Sequence, residues 1–164
     1  MKILQAVLAV VLLMLTGCGQ VNEDLTNKSP YNSLVGKQFK NKVELVVYRY
    51  SDSRKLLIQT VEDILGSWPR SAIKPPFPMK NPDGSGEKIF GILPPGTEFK
   101  VVKIKDEGNT GFSAIHTYVE ITQSSDPQWV GKVVSELGMT TYDRHINLVP
   151  KFKPDYMEEL PRTP

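Results

Sequence analysis

Two histidines and one cysteine are the residues of this 164-residue chain best suited to chemistry. His116 and Glu120 are four residues apart, a spacing that on a helix brings an imidazole and a carboxylate together as metal ligands. The surrounding run, Phe112 to Ile121, alternates instead: Ile115, Val119 and Ile121 point one way, and His116, Tyr118 and Glu120 the other. That period is a strand's. On a strand the two residues share a face but stand about 13 Å apart, at roughly 3.4 Å per residue, too far to share a metal. Asp143-Arg144-His145 sets an acid beside an imidazole, yet neighbouring strand positions face opposite ways. The chain has no zinc spacing, phosphate loop or EF-hand pattern, and no nucleophile elbow. No residue is nominated as catalytic, no metal or other cofactor is called for, and both histidines are expected to be structural.

Cys18 is the only cysteine. It excludes an internal disulfide, and in an exported protein a lone thiol needs a use. Lys2 supplies a short positive start, Ile3 to Leu15 is apolar except for Gln5, and Leu15-Thr16-Gly17-Cys18 follows. This is the layout of a secretory signal peptide. As a helix the apolar run would span only about 20 Å, short of the roughly 30 Å hydrocarbon core of a bilayer.

Leu15, Thr16, Gly17 and Cys18 resemble the lipobox of bacterial lipoproteins: an aliphatic residue, two small ones, then Cys. The resemblance implies cleavage between Gly17 and Cys18, diacylation of the Cys18 thiol by chains such as palmitate, and often acylation of the new amino group. One buried acyl chain holds marginally; two or more hold stably, at about 0.8 kcal/mol per methylene. The expected location is the cell envelope, lipid-anchored. Gly19 rather than Asp follows the cysteine, which by the same resemblance implies the outer membrane, facing the periplasm, in a Gram-negative host.

The elements that follow must be small. Lys and Arg total 20 against 18 Asp and Glu, so the chain is close to neutral and no global field points to nucleic acid. Its length suits one domain. We read residues 1–17 as signal peptide, 18–33 as lipidated N-terminus and flexible tether, 34–150 as a β-domain, and 151–164 as a Pro-rich tail over the surface. Val43 to Tyr50, Lys55 to Val61, Ile89 to Leu93, Thr97 to Lys105 and Phe112 to Ile121 read as strands. A helical turn is possible at 62–65, residues 129–137 are ambiguous between strand and helix, and 146–149 are expected to close the sheet. Phe99 and Val101 share one face of their strand while Val102 and Ile104 share the other, a phase shift that suggests a bulge or a bend between two sheets. The fold class is therefore all-β, a small barrel or sandwich. The stretch from Gly91 to Lys105, with its Pro94-Pro95-Gly96 turn, resembles the SH3-like barrels of bacterial envelope proteins.

Residues 66–86 form an unusually long loop. It carries Trp68 and Phe77 as large apolar residues, Arg70, Lys74 and Lys80 as cations, and Pro75, Pro76 and Pro78 as stiffeners. One reading is a binding loop for an anionic partner. The reading we prefer is a cover over one open end of the barrel, with Trp68 and Phe77 as plugs. The expected function is that of a non-enzymatic, membrane-anchored lipoprotein whose β-domain binds an envelope protein or cell-wall polymer. The alternatives are an envelope hydrolase or accessory subunit acting on peptidoglycan or glycan, and an inhibitor or immunity-type protein.

Overall fold

The computed structural model describes residues 22–50, 53–66, 70–81, 86–108, 114–136, 139–143 and 147–161. These are all-β apart from one short α-helix and three single turns of 3-10 helix. In chain order the elements are β1 (Glu23–Asp24), β2 (Gln38–Asn41), β3 (Leu45–Arg49), β4 (Leu57–Thr60), α1 (Val61–Leu65), β5 (Met79–Lys80), β6 (Lys88–Leu93) and β7 (Glu98–Asp106). They continue with β8 (Ile115–Gln123), β9 (Val133–Glu136), β10 (Thr140–Asp143), β11 (Asn147–Phe152) and β12 (Met157–Glu159).

One sheet runs in the order β12-β2-β7-β8-β9-β4-β3-β6-β5, with β1 added on β7. Every pairing in it is antiparallel except β4 with β9. The sheet is open, with β12 and β5 as its edges, so the expected barrel does not close. Of the residues expected to close it, 147–149 fall in β11, which pairs with β10 in a separate two-stranded sheet, and 146 lies outside the described residues.

The sheet nevertheless curls around one core. Phe39, Leu45, Val47, Ile58, Leu93, Phe99, Val101, Ile104, Val119, Ile121, Val134 and Met157 converge on its inner face, from strands spread across the whole order. The phase shift anticipated in β7 is a bulge: the register slips between Val101 and Lys103. Val102 is the extra residue, which returns Ile104 to the face of Phe99 and Val101. In β8 the alternation holds, with Thr117, Val119 and Ile121 fully buried. β3 is buried on both faces, Val46 and Tyr48 facing a second cluster with Ile64, Leu65 and Ile73. Hence its nearly unbroken apolar run.

α1 supplies half of that second cover. Thr60 Oγ1 accepts from Asp63 N at 3.2 Å and donates to Asp63 Oδ2 at 2.7 Å, a reciprocal cap that ties down the first turn. Gly66, at φ 54°, ends the helix in a conformation that side chains resist. The other half is the 70–80 segment, which lays Ile73, Phe77 and Met79 on the outer face of β3 and β6. It covers a sheet face and not the end of a barrel, and at 75–78 it bends instead of extending.

Trp129 fills space inside the curled sheet. It leaves the β8–β9 turn, is 6% exposed, and lies on Gly91 of β6, four strands away in the sheet order. A Cβ on Gly91 would sit 2.6 Å from Trp129 Cζ2. Asn41 performs a related task at the crossovers from β2 to β3 and from β6 to β7. Its backbone N–H donates to Thr97 O at 3.1 Å and its carbonyl accepts from Gly96 N at 2.9 Å. Its side-chain amide donates to Val43 O at 2.8 Å and Pro94 O at 2.9 Å. One residue thus rivets both crossovers.

Both termini of the domain are more ordered than their composition suggests. Within the expected tether, β1 pairs with β7, and Leu25 and Tyr31 enter the core. Within the expected tail, β12 pairs with β2 and buries Met157. Isolated apolar residues among polar ones carry no period, yet a sheet edge can still recruit them.

Candidate functional site

The densest set of ionisable groups lies on the outer face of β7, β8 and β9. Cross-strand pairing sets His116 opposite Lys105, and Tyr118 between Lys103 and Ser135. Ser135 Oγ lies 3.4 Å from His116 Nδ1. Glu107, just beyond β7, accepts from Tyr118 OH at 2.8 Å and from Lys55 Nζ of the β3–β4 connection. Lys55 also stands 5.9 Å from the Tyr118 ring centre.

Their charge states follow from these partners. Burial of His116 drives its pKa below the usual imidazole value, against the pull of Glu107, so the ring is neutral near pH 7. Burial of Glu107 works to raise its carboxyl, but hydrogen bonds from Lys55 and Tyr118 outweigh it and hold the group below the usual range. A hydroxyl beside a neutral imidazole is the beginning of a nucleophile–base pair. Here, however, Ser135 is 1% exposed, with its backbone N–H bound to Leu56 O. Glu107 is engaged by Lys55 and Tyr118. In this arrangement the hydroxyl cannot meet a substrate.

The next residue turns inward. Glu136 is 3% exposed. Its Oε1 accepts from the backbone N–H groups of Met139 and Thr140, the latter at 2.9 Å, and its Oε2 lies 3.0 Å from Thr140 Oγ1. Burial pushes this carboxyl up to about 7, opposed by the bonds from Thr140 and Met139 and by Lys153. Thr117, directly across on β8, has a buried hydroxyl with no partner among the described residues. Oε1 receives both amides while Oε2 accepts from the Thr140 hydroxyl. Glu136 thereby clips the start of β10 to the main sheet.

Comparison with known protein families, with curated proteins and with solved structures gives no match. The reading of the site therefore rests on its own geometry. Among the described residues, no three His, Cys, Asp or Glu side chains gather as a metal site, and no helix is long and apolar enough to cross a membrane.

The cations nominated from sequence separate. Arg70 is tied to Glu44 by two bonds, Nε to Oε2 at 2.5 Å and Nη2 to Oε1 at 3.1 Å, and its Nη1 donates to Ile73 O at 2.9 Å. The pair sits in a groove of about 290 Å³ with Val43, Thr60, Val61, Glu62 and Tyr156. Lys74 and Lys80 are exposed, Phe77 is half-buried against the second core cluster, and neither lysine lines this groove. Glu120 is four residues along β8 from His116, opposite Lys100 and Val133, as the strand reading required. Gly17, Cys18, Trp68 and His145 lie outside the described residues. Ser135, Glu107, Lys55 and Glu136 were not nominated from sequence. Ser135, Glu107 and Lys55 lie apart in the chain and are brought to one face by the fold, while Glu136, next to Ser135, faces the interior.

Proposed function

We propose that this protein is a lipid-anchored component of a bacterial envelope whose β-domain binds a partner, an envelope protein or a cell-wall polymer, and does no chemistry on it. The anchor rests on Leu15-Thr16-Gly17-Cys18. One observation carries the binding half: the groove in which Glu44 holds Arg70 in a fixed pose beside Val43, Val61 and Tyr156. A pre-set guanidinium–carboxylate pair against apolar walls suits a ligand with both polar and apolar groups. The hydrolase reading draws support from the Ser135–His116 contact and is opposed by the burial of Ser135.

Two measurements test the proposal. Replacing Cys18 with Ser abolishes labelling by a fatty-acid probe in producing cells; unchanged labelling overturns the anchor. Affinity capture from envelope fractions with the mature domain recovers a species that Arg70→Ala no longer recovers, while Lys74→Ala still does. Equal capture by both variants removes the groove from the function. Loss of a hydrolytic activity in Ser135→Ala with the fold intact would replace binding by hydrolysis.

A further inference from the structure

We infer that the domain stands end-on to the lipid bilayer, its β1 end against the phospholipid headgroups and its Arg70 groove on the opposite end. This inference rests on the lipid-anchor reading of Cys18. Five residue steps separate Cys18 from Glu23, so even fully extended chain keeps β1 within about 18 Å of the acylated residue. The direction of exit then sets the orientation. β1 is antiparallel to β7, with Glu23 opposite Asp106 and Asp24 opposite Lys105. The described chain therefore enters the sheet at the Asp106 end of β7, with Glu23 nearer that end than Asp24.

Several groups share that end. Lys55 reaches Glu107, which brings the β3–β4 connection beside the end of β7. Tyr50, 41% exposed, lies at the start of that connection and accepts from Ser53 N at 3.1 Å. An exposed tyrosine with an apolar ring and a polar tip suits a headgroup layer. Three ion pairs lie there, Lys28 with Glu23, Lys103 with Asp24 at 3.2 Å, and Lys55 with Glu107, and Arg54 of the β3–β4 connection is exposed beside them. The short tether sets this end against the headgroups.

The other end lies eight residue steps along β7, about 27 Å away at strand rise. There the Asn41 rivet joins the crossovers, the groove opens between Val43, Glu44 and Arg70, and Val130 of the β8–β9 turn is 46% exposed. A partner fixed in the envelope would meet this end, clear of the headgroups.

The test uses the full lipidated chain reconstituted into phosphatidylcholine vesicles that carry a headgroup-located fluorescence quencher. Because the acyl group occupies Cys18, a second cysteine at Lys28→Cys or Val130→Cys can be labelled alone; Glu23→Cys and Lys132→Cys form a reserve pair at the same two ends. Labels at 28 or 23 are expected to be quenched several-fold more than labels at 130 or 132. Equal quenching at both ends means that the domain lies flat, and stronger quenching at 130 means that it is inverted; either result overturns the inference. Mass spectrometry of the same preparation separates the two claims. An unacylated Cys18 overturns anchor and orientation together, whereas an acylated Cys18 with equal quenching overturns the orientation alone.

Discussion

Glu107 and Glu136 sit near the same end of the β7–β8–β9 strands, one on each side of the sheet, and their environments drive them in opposite directions. Glu107 meets Lys55 and Tyr118 and is held ionised. Glu136 meets backbone amides and a threonine in the interior, and is pushed up to about 7. What separates them is an ammonium at the outer face and deep burial at the inner one. Two carboxyls near one end of a sheet can therefore differ in charge state, because strands send side chains to opposite faces.

The interior should dominate stability, and Trp129 tests this most severely. Trp129→Ala is expected to cost about 3–5 kcal/mol, since the ring fills the space over Gly91 and leaves a cavity when removed. Urea unfolding of the mature domain measures it, and a loss comparable to that of a surface substitution would break the contrast between faces. Gly91→Ala approaches the same ring from the other side and should also destabilise, through overpacking.

Glu136 gives the next largest effect, and its sign is definite. Its folded pKa of about 7 exceeds the ordinary 4.5, so the native state binds the proton more tightly than the unfolded chain. The group's favourable contribution is complete below the ordinary value and is lost as pH rises through 7. The loss amounts to about 3 kcal/mol from that shift. Glu136→Gln keeps an acceptor for the two amides and removes the titrating proton. It should flatten this part of the pH profile and unfold less readily than the parent at pH 8. A parent whose stability is flat across the window would show that Glu136 is not the buried acid described here.

Glu107 should behave oppositely and more weakly. Its folded pKa is depressed, so its contribution is present above the ordinary carboxylate value and is lost as pH falls through the folded one. Lys55 is 49% exposed, and a double-mutant cycle between Lys55→Ala and Glu107→Gln should return about 1 kcal/mol or less of coupling. Ser135→Ala is expected to be the smallest, about 0.5 kcal/mol, because the contact to His116 is long. A larger loss there would give the outer face a weight that its geometry does not suggest.

The two faces were not equally legible in the sequence. Alternation in β8, the bulge in β7 and the turn at Pro94-Pro95-Gly96 were readable because each is a local pattern with a local cause. The helical turn at 62–65 was named as possible, and its Thr60 cap appears only in the structure. The closure of the sheet was not, since whether β11 pairs with an edge strand or with β10 depends on contacts that no local period encodes. Leu25 and Met157 were hidden for the same reason, as single apolar residues in polar company. The outer cluster needs the registers of β7 on β8 and of β8 on β9 before Glu107, His116 and Ser135 become neighbours. Glu136 was missed because a charged residue at the end of a short strand ordinarily marks solvent.

The parallel contact between β4 and β9 has a kinetic consequence. Leu57 meets Ser135 and Ile58 meets Glu136, and in the sheet order this narrow seam joins β12-β2-β7-β8 to β3-β6-β5. A chain emerging from its N-terminus could form the β3–β4 hairpin early. It could not join the two groups of strands through β9 until residue 135 had appeared. Such distant pairing makes assembly slow relative to helical proteins of the same size. Until β9 arrives between them, the facing edges of β4 and β8 remain open to mispairing.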